Sequence, residues 1–311
     1  MLRRVFCVML LPMKNLTFWL DCTRAYSLPM SITAWAIAFA AGIAAKGSIV
    51  YGIIALIGIA CVHLRANLFD DILDYKNYLR KQEEDKIINI KKGKCRCFRE
   101  GLITVKKALL ACAILFGIAS IIGLFFIYLY KLPIIELMAI TGILCLIYPK
   151  SGYLGLSEII IGTVFSPLLF TGVYYVMTGN ISNVLLWISL SFALVAISLL
   201  YTDFFLDYNH DKEEGKRTIP VLSGSKNNAY YFYIFMMFLV YAILFLGIHS
   251  HLLSAKFGII FLSIFPALKT IKQLQNYTDK EIKDEKEFMH TMNNVQKFIA
   301  IFAILCIISF F

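Results

Sequence analysis

Charged residues are scarce in this sequence, making up 16% of its 311 residues, whereas an ordinary soluble domain has about 25%. Hydrophobic residues reach 59%, above the usual ~45–50%. The composition therefore excludes an ordinary soluble protein and predicts a polytopic membrane protein that contacts the lipid bilayer. The net charge of +10 does not indicate a nucleic-acid partner, because the basic residues lie in loops between apolar runs, as topology signals do.

Several other signals are absent. None of the eight cysteines forms a CxxC pair, and most lie inside apolar runs, where we expect small buried hydrophobes. Cys95 and Cys97 have a CxC spacing that fits neither a zinc knuckle nor a redox motif, so we expect an ordinary loop pair. No cleavage site follows the basic and apolar N-terminus. Residues 1–27 are instead predicted to be an interfacial segment, with apolar contacts from Phe6, Met9, Leu10, Phe18 and Trp19.

Nine apolar runs are long enough to cross a bilayer, which takes about 20 residues. We predict an all-α bundle of about nine transmembrane helices that forms a single polytopic domain over residues 1–311. The predicted spans are 28–45, 48–68, 107–129, 132–149, 156–177, 184–203, 229–248, 252–271 and 292–311. The motif regions then fall in cytoplasmic loops at 75–106 and 207–228.

The distribution of Lys and Arg predicts the topology. With the N-terminus in the cytoplasm, all but four of the 30 basic residues fall on one side of the membrane. Three exceptions, Lys46, Lys131 and Lys256, fall on the other side. The fourth, Arg65, lies within the second span and needs a partner there, for which Glu158 is the candidate.

Two clusters of acidic residues end the second and sixth apolar runs. A carboxylate near the centre of a membrane helix costs about 3 kcal/mol, so six of them in two sets indicate a function. Residues three, four or seven positions apart share one face of a helix. The first cluster is Asn67, Asp70, Asp71 and Asp74, and the second is Asp203, Asp207 and Asp211.

Carboxylate oxygen atoms that point in one direction are typical of a Mg²⁺ site. The ion there keeps some of its water ligands and completes its coordination with oxygen atoms of the substrate phosphate. Two such faces could hold a diphosphate between two metal ions. Basic residues predicted on the same membrane side could neutralise that diphosphate: Arg24, Lys150, Lys216 and Arg217. Asp71, Asp207 and Lys150 are accordingly the candidate catalytic residues.

The spacings Asn67-x-x-x-Asp71-x-x-Asp74 and Asp203-x-x-x-Asp207-x-x-x-Asp211 resemble the paired aspartate motifs of the UbiA superfamily of intramembrane prenyltransferases. Further segments resemble the branch that acts on 1,4-dihydroxy-2-naphthoate in menaquinone synthesis. These segments are residues 23–29, 96–103, 148–158 and 215–221. One departure is Asp70, which stands where that branch usually has Asn.

The resemblance implies a nine-helix enzyme that uses Mg²⁺ to transfer a polyprenyl group from prenyl diphosphate to an aromatic acceptor. It implies a bacterial plasma (inner) membrane and an active site on the cytoplasmic side. The prenyl cation would form in a dry apolar cavity and be stabilised by aromatic faces such as that of Phe69. Substrate contacts are expected from Tyr148, Tyr153, His63 and Ser27.

Three alternatives remain open at this point. Within the family, the acceptor could be 4-hydroxybenzoate, homogentisate, a chlorin or a glycerophospholipid precursor, or the enzyme could be a terpene cyclase with no aromatic acceptor. In another class, a cation-coupled transporter would also carry membrane acids, but at mid-span rather than at two cytoplasmic ends. The sequence does not give the prenyl chain length or the oligomeric state.

Overall fold

The computed structural model describes residues 16–83, 95–280 and 284–311. Within these ranges there is no strand, and nine helices are long and apolar enough to cross a membrane. They are α1 (Leu28–Ala44), α2 (Ile49–Glu83), α3 (Val105–Tyr130), α4 (Leu132–Leu154), α5 (Ser157–Thr178), α6 (Asn183–Leu206), α7 (Lys226–His249), α8 (Ala255–Gln275) and α9 (Glu285–Ser309). The all-helical prediction and all nine predicted spans are confirmed.

Helix α2 is longer than predicted. The expected span ended at residue 68, whereas the helix continues to Glu83, so residues 75–83 are helical and not part of the loop expected at 75–106. No Gly or Pro occurs between residues 59 and 83, and Leu, Arg, Lys and Gln there favour a helix. Residues 84–94 of that loop, and Phe6, Met9 and Leu10 of the N-terminal segment, lie outside the described residues.

The region expected as a loop at 207–228 also contains regular structure. Two short helices, Tyr208–Glu213 and Ile219–Leu222, lie between α6 and α7. Gly215 separates them with a φ of 72°, a left-handed conformation that glycine adopts without steric cost. The basic segment 215–218 is therefore a turn between two helical pieces.

The chain forms two compact units, and each contains one of the acidic clusters. The first comprises the described residues within Met1–Pro29 and Gly58–Ile121. Its apolar core joins Leu68 and Ile72 of α2 to Phe98, Ile103 and Ala108, all of which are buried. Because Leu68 and Ile72 are one turn apart, they fix the rotation of the α2 segment that carries Asp70, Asp71 and Asp74.

The second unit comprises Met30–Ile57 and the described residues within Ile122–Phe311. Helix α6 packs against α5, α7 and α9. The hydroxyls of Ser191 and Tyr201 on α6 donate to carbonyl oxygens of α7 at 2.8 Å and 2.7 Å. Such small or polar contacts are a common means of joining membrane helices. They fix the C-terminal end of α6, where Asp203 lies.

Candidate active site

The first acidic cluster brings three carboxylates together. Oxygen atoms of Asp70, Asp71 and Asp74 lie within 4.8 Å of one another. The Asp71 side chain is 7% exposed, whereas that of Asp70 is 23% exposed. No other three carboxylate, histidine or cysteine groups come this close among residues 16–83, 95–280 and 284–311. Like charges at this separation repel unless a proton or a cation lies between them, so the geometry suits a cation.

Arg24 supplies a positive charge from outside the helix. Its Nη2 lies 2.9 Å from Asp70 Oδ2, and its Nε lies 3.6 Å from Asp71 Oδ1. Burial alone would lower the pKa of Arg24, but Asp71 and Asp70 outweigh burial and raise this pKa above its ordinary value. Arg24 therefore remains charged, and the three carboxylates, when ionised, still leave a net negative site that can bind a divalent cation.

The backbone at Arg24 is held in an uncommon conformation. Its φ of 51° and ψ of 44° are left-handed, which costs a residue other than glycine roughly 1–2 kcal/mol. Asn67 Nδ2 donates to the Thr23 carbonyl at 3.1 Å and to Ser27 Oγ at 2.8 Å. These bonds hold the turn. They also use the amide nitrogen of Asn67, so only its amide oxygen could serve as the predicted metal ligand.

Two predicted substrate-binding residues lie in direct contact. Ser27 Oγ is 2.8 Å from His63 Nε2, and the same hydroxyl accepts from Asn67. His63, Ser27 and Asn67 thus form one hydrogen-bonded chain beside the Arg24 turn. The sequence placed His63 and Asn67 on one helix face but gave no signal for the bond to Ser27.

The cysteines near this cluster are not an ordinary loop pair, and that expectation is wrong. Cys22 and Cys97 form a disulfide with their Cα atoms 5.8 Å apart. The backbone of Cys95 donates a hydrogen bond to Asp71. The CxC spacing gave no indication of this pairing, because the partner of Cys97 lies 75 residues away.

The second acidic cluster spans a helix end. Asp203 is in the last turn of α6, Asp207 follows the helix with a ψ of 17°, and Asp211 is in the next short helix. The Asp207 and Asp211 N–H groups still donate to the carbonyls four residues earlier, at 3.1 Å and 2.9 Å. The one-turn spacing is therefore kept, but the helix face that the three residues were expected to share is interrupted at Asp207.

Lys216 is a basic partner of Asp211 in this second cluster. Its Nζ lies 2.6 Å from Asp211 Oδ1 and 2.8 Å from Glu214 Oε2. Burial by itself would lower the pKa of Lys216, but the hydrogen bonds to Asp211 and Glu214 raise it above its ordinary value. The sequence interpretation included Lys216 and Asp211 and missed Glu214. The acidic run that precedes Gly215 was the signal that could have identified it.

Glu158 has a different partner from the one predicted. It is fully buried, and its Oε1 accepts a 2.7 Å hydrogen bond from the Ile219 N–H. The predicted partner, Arg65, instead lies over the rings of Phe69 and Phe116, 4.8 Å and 5.6 Å from their centroids. Aromatic faces stabilise a guanidinium without a second buried charge, so the expectation of an Arg65–Glu158 pair is wrong.

A second hydrogen bond joins the segment that contains Glu158 to the segment that contains Ile219. The Arg217 N–H donates to the Gly152 carbonyl at 2.7 Å. Gly155 has a φ of 74°, and a Cβ there would lie 3.2 Å from the Arg217 carbonyl oxygen. The segment 152–158 thus serves as a backbone support for the turn that carries Lys216.

The remaining predicted residues lie on or beside α4. Lys150, Tyr153 and Arg217 have exposed side chains, and Tyr148 is partly buried. None of the ion pairs in the described part of the chain joins Lys150 or Arg217 to an acid. The structure therefore brings Arg24 and Lys216 to the acidic clusters and leaves these two basic side chains at the surface.

Comparisons with known proteins identify the fold. The match to a UbiA homologue from Aeropyrum pernix K1 covers 88% of this chain and 96% of that one, with a TM-score of 0.68 and 14% identity. For a UbiA homologue from Archaeoglobus fulgidus bound to DMAPP and Mg²⁺, the coverages are 93% and 98%, with a TM-score of 0.66 and 15% identity.

A third similar structure is that of a digeranylgeranylglyceryl phosphate synthase. The match covers 94% of this chain and 95% of that one, with a TM-score of 0.62 and 17% identity. A search of curated protein sequences finds no match. At these identities the solved structures establish a shared fold. The UbiA prenyltransferase family profile matches residues 30–295, and the chain belongs to the UbiA prenyltransferase family.

Proposed function

We propose that the protein transfers a polyprenyl group from prenyl diphosphate to 1,4-dihydroxy-2-naphthoate, with Mg²⁺ as the metal. The observation that carries this proposal is the group of three carboxylates, Asp70, Asp71 and Asp74, beside the charged Arg24. The acceptor is inferred from the segments at 23–29, 96–103, 148–158 and 215–221, which resemble the menaquinone branch of the family.

The donor atoms of the first cluster suit Mg²⁺. They are carboxylate oxygens, which this ion prefers, and Asp71 Oδ1 is buried without a hydrogen-bond partner among the described residues. Asp70, Asp71, Asp74 and the amide oxygen of Asn67 would hold one ion. Asp203, Asp207 and Asp211 would hold a second. Bound Mg²⁺ would neutralise charge on the departing diphosphate. The Archaeoglobus fulgidus homologue with DMAPP and Mg²⁺ supports this assignment.

The basic side chains of this chain would bind the diphosphate. Arg24 and Lys216 are both oriented before substrate arrives, because each is held by two acidic groups. Charges that need no reorientation stabilise a developing anion most effectively. Arg217 and Lys150 are exposed and would bind the outer oxygens. Phe69 is a poor candidate for stabilising the prenyl cation, because Arg65 already covers its ring.

The experiment uses membranes that contain the protein, radiolabelled prenyl diphosphates of several lengths and a set of acceptors. We expect prenylated 1,4-dihydroxy-2-naphthoate in the presence of Mg²⁺ and none after chelation with EDTA. Asp71→Ala and Asp207→Ala should each abolish the product, whereas the exposed Glu136→Gln should leave the yield unchanged. Equal yields from the wild type and both aspartate variants would contradict the metal assignment.

A glyceryl phosphate lipid is the second candidate acceptor. The similarity to the digeranylgeranylglyceryl phosphate synthase structure supports it. The same assay with geranylgeranylglyceryl phosphate in place of the naphthoate separates the two. Product from the lipid alone would select this second acceptor. Release of diphosphate without any prenylated acceptor would instead indicate a terpene cyclase.

We also propose a bacterial inner-membrane location with the N-terminus and both acidic clusters on the cytoplasmic side. The asymmetry of Lys and Arg between loops supports it. The nine spans among the described residues then place Phe311 outside the cytoplasm. A reporter enzyme that is active only outside the cytoplasm should therefore be active when fused after Phe311 and inactive when fused after Gly224. The opposite pattern would reverse the proposed orientation.

A further inference from the structure

We propose that Cys22 and Cys97 form a reversible thiol–disulfide switch that sets how well the first acidic cluster binds a divalent cation. The two residues are joined in the structure, with a Cα separation of 5.8 Å that is usual for a disulfide. The proposal rests on the proposed function for its activity measurement and for the cytoplasmic location of the bond. Its other measurements follow thiols and cation binding directly.

The disulfide links two segments that contact the cluster from outside α2. Cys22 is two residues before Arg24, whose guanidinium pairs with Asp70 and Asp71. Cys97 is two residues after Cys95, whose backbone bonds Asp71. The Cys22–Cys97 bond therefore holds both external partners of Asp71 at once.

The bond closes a long stretch of chain, because its cysteines are separated by 75 residues. Opening it would remove the covalent link between the Arg24 turn and the 95–97 segment, leaving the packing of the apolar core and hydrogen bonds such as those of Asn67. A binding site whose supporting groups are held in place binds its ligand better than one that must order them on binding. We therefore expect the oxidised form to bind the cation more tightly.

The location of the bond indicates a switch and not a permanent link. On the proposed topology it lies at the cytoplasmic side, where disulfides are generally transient and redox-sensing. Cys22 is buried, whereas Cys97 is partly exposed, so an external thiolate would attack the Cys97 sulfur.

The chemistry needs a dithiol as reductant. Attack by its first thiolate breaks the S–S bond and gives a mixed disulfide with Cys97, and Cys22 leaves as a thiolate that takes up a proton. The second thiol of the reductant then displaces the Cys97 thiolate, which is also protonated. Two electrons pass to the protein, and the reductant becomes a cyclic disulfide. An oxidant of the diazenedicarboxamide class reverses the change: its N=N bond accepts two electrons and two protons from the thiols, and it becomes a hydrazinedicarboxamide.

The first test measures the thiols. The protein in nanodiscs is treated with dithiothreitol or with diamide, denatured, alkylated and analysed by mass spectrometry of peptides containing Cys22 and Cys97. We expect both thiols to be alkylated after dithiothreitol and neither after diamide, where a linked peptide should appear. Alkylation of both cysteines to the same extent in the two samples would overturn the proposal.

The second test measures cation binding without substrate. Mn²⁺ is titrated into oxidised and reduced protein and followed by electron paramagnetic resonance. We expect reduction to raise the half-saturating Mn²⁺ concentration by about 3- to 10-fold, a change of roughly 0.7–1.4 kcal/mol. The half-saturating Mg²⁺ concentration for activity should rise in parallel. Equal Mn²⁺ binding by the two forms would overturn the coupling.

Three variants complete the test. Cys22→Ser and Cys97→Ser should each bind Mn²⁺ like the reduced wild type, whether or not dithiothreitol is present. Cys95→Ala is the matched control, because it removes a buried thiol from the same segment and keeps the backbone N–H that bonds Asp71. It should respond to dithiothreitol as the wild type does. Persistent dithiothreitol sensitivity in a folded Cys97→Ser protein would refute the assignment. If only the activity assay fails while thiols and Mn²⁺ respond, the proposed reaction is wrong and the switch stands.

Discussion

The two acidic clusters have similar spacing in the sequence but differ in how each is built. The first lies on one uninterrupted helix. Its basic partner, Arg24, is 46 residues from Asp70 in the sequence. The second crosses the end of α6. Its basic residue Lys216 is only five residues from Asp211 in the sequence. The first brings three carboxylates within 4.8 Å of one another. In the second, Lys216 and Asp211 form a short ion pair.

This difference indicates that the two proposed ion sites are built differently and that the second adds a basic group to its acids. A continuous helix directs carboxylates one turn apart to the same place, which favours a metal site. A helix end followed by a glycine turn brings a lysine back to the preceding acid, which favours a preoriented basic group. Helical spacing of acids in the sequence therefore does not ensure the same ligand geometry.

The largest expected effect tests the metal role of the first cluster. Asp71→Asn should lower kcat/KM by about 100-fold or more, because roughly 3 kcal/mol of charge stabilisation is lost. It should also weaken Mn²⁺ binding. Asp211→Asn should be milder, since Lys216 keeps Glu214 as its partner. Steady-state kinetics and Mn²⁺ titration check both variants, and a larger loss in Asp211→Asn would reverse the comparison.

The next expected effect concerns the basic partners. Arg24→Lys should raise the KM for prenyl diphosphate by about 10-fold, because lysine cannot reproduce the planar guanidinium that reaches two carboxylates. Lys216→Arg should raise this KM less. Asp211 and Glu214 both contact the single Nζ atom of Lys216, so these ion pairs do not depend on a planar group. Substrate-saturation kinetics on the two variants test this ranking. Equal KM values for the two variants would show that diphosphate binding depends on neither the guanidinium geometry of Arg24 nor the ammonium geometry of Lys216.

A third prediction concerns the support of the second cluster. Glu158→Leu should lower the free energy of unfolding by about 1–3 kcal/mol, because the partly buried Ile219 N–H loses its acceptor. Glu158→Gln keeps an oxygen at this position and should cost less. Denaturation in detergent measures both, with the exposed Glu136→Leu as control. Equal losses from the two Glu158 variants would mean that the charge, and not the hydrogen bond, is required.

The smallest expected effect is in the pH dependence of stability. The folded pKa of Lys216 is raised above its ordinary value, so the protonated lysine is favoured in the folded state. Its contribution is complete below about pH 10.4, the ordinary pKa of lysine, and is lost as the pH rises through the higher folded pKa. Wild type should therefore lose more stability than Lys216→Met as the pH rises above about 10.4. Parallel thermal-denaturation curves for the two proteins would contradict this.

Much of the fold followed from local properties of the chain. The nine spans, the all-helical class and the first carboxylate stripe were predicted, because apolar length and the helical repeat are local signals. The end of α2 was not predicted, because hydropathy marks where the apolar run ends and not where the helix does. Residues 69–83 continue the helix through their own helix propensity.

The contacts of the site depended on the tertiary structure. The sequence alone determined which residues are acidic, how they repeat along a helix and which side of the membrane the basic loops favour. Only the folded chain decided that Asn67 holds the Arg24 turn, that Glu158 supports Ile219 and not Arg65, and that Cys22 joins Cys97. The physical reason is that each of these partners lies tens of residues away, so the choice depends on which segments the packing of the helices brings together.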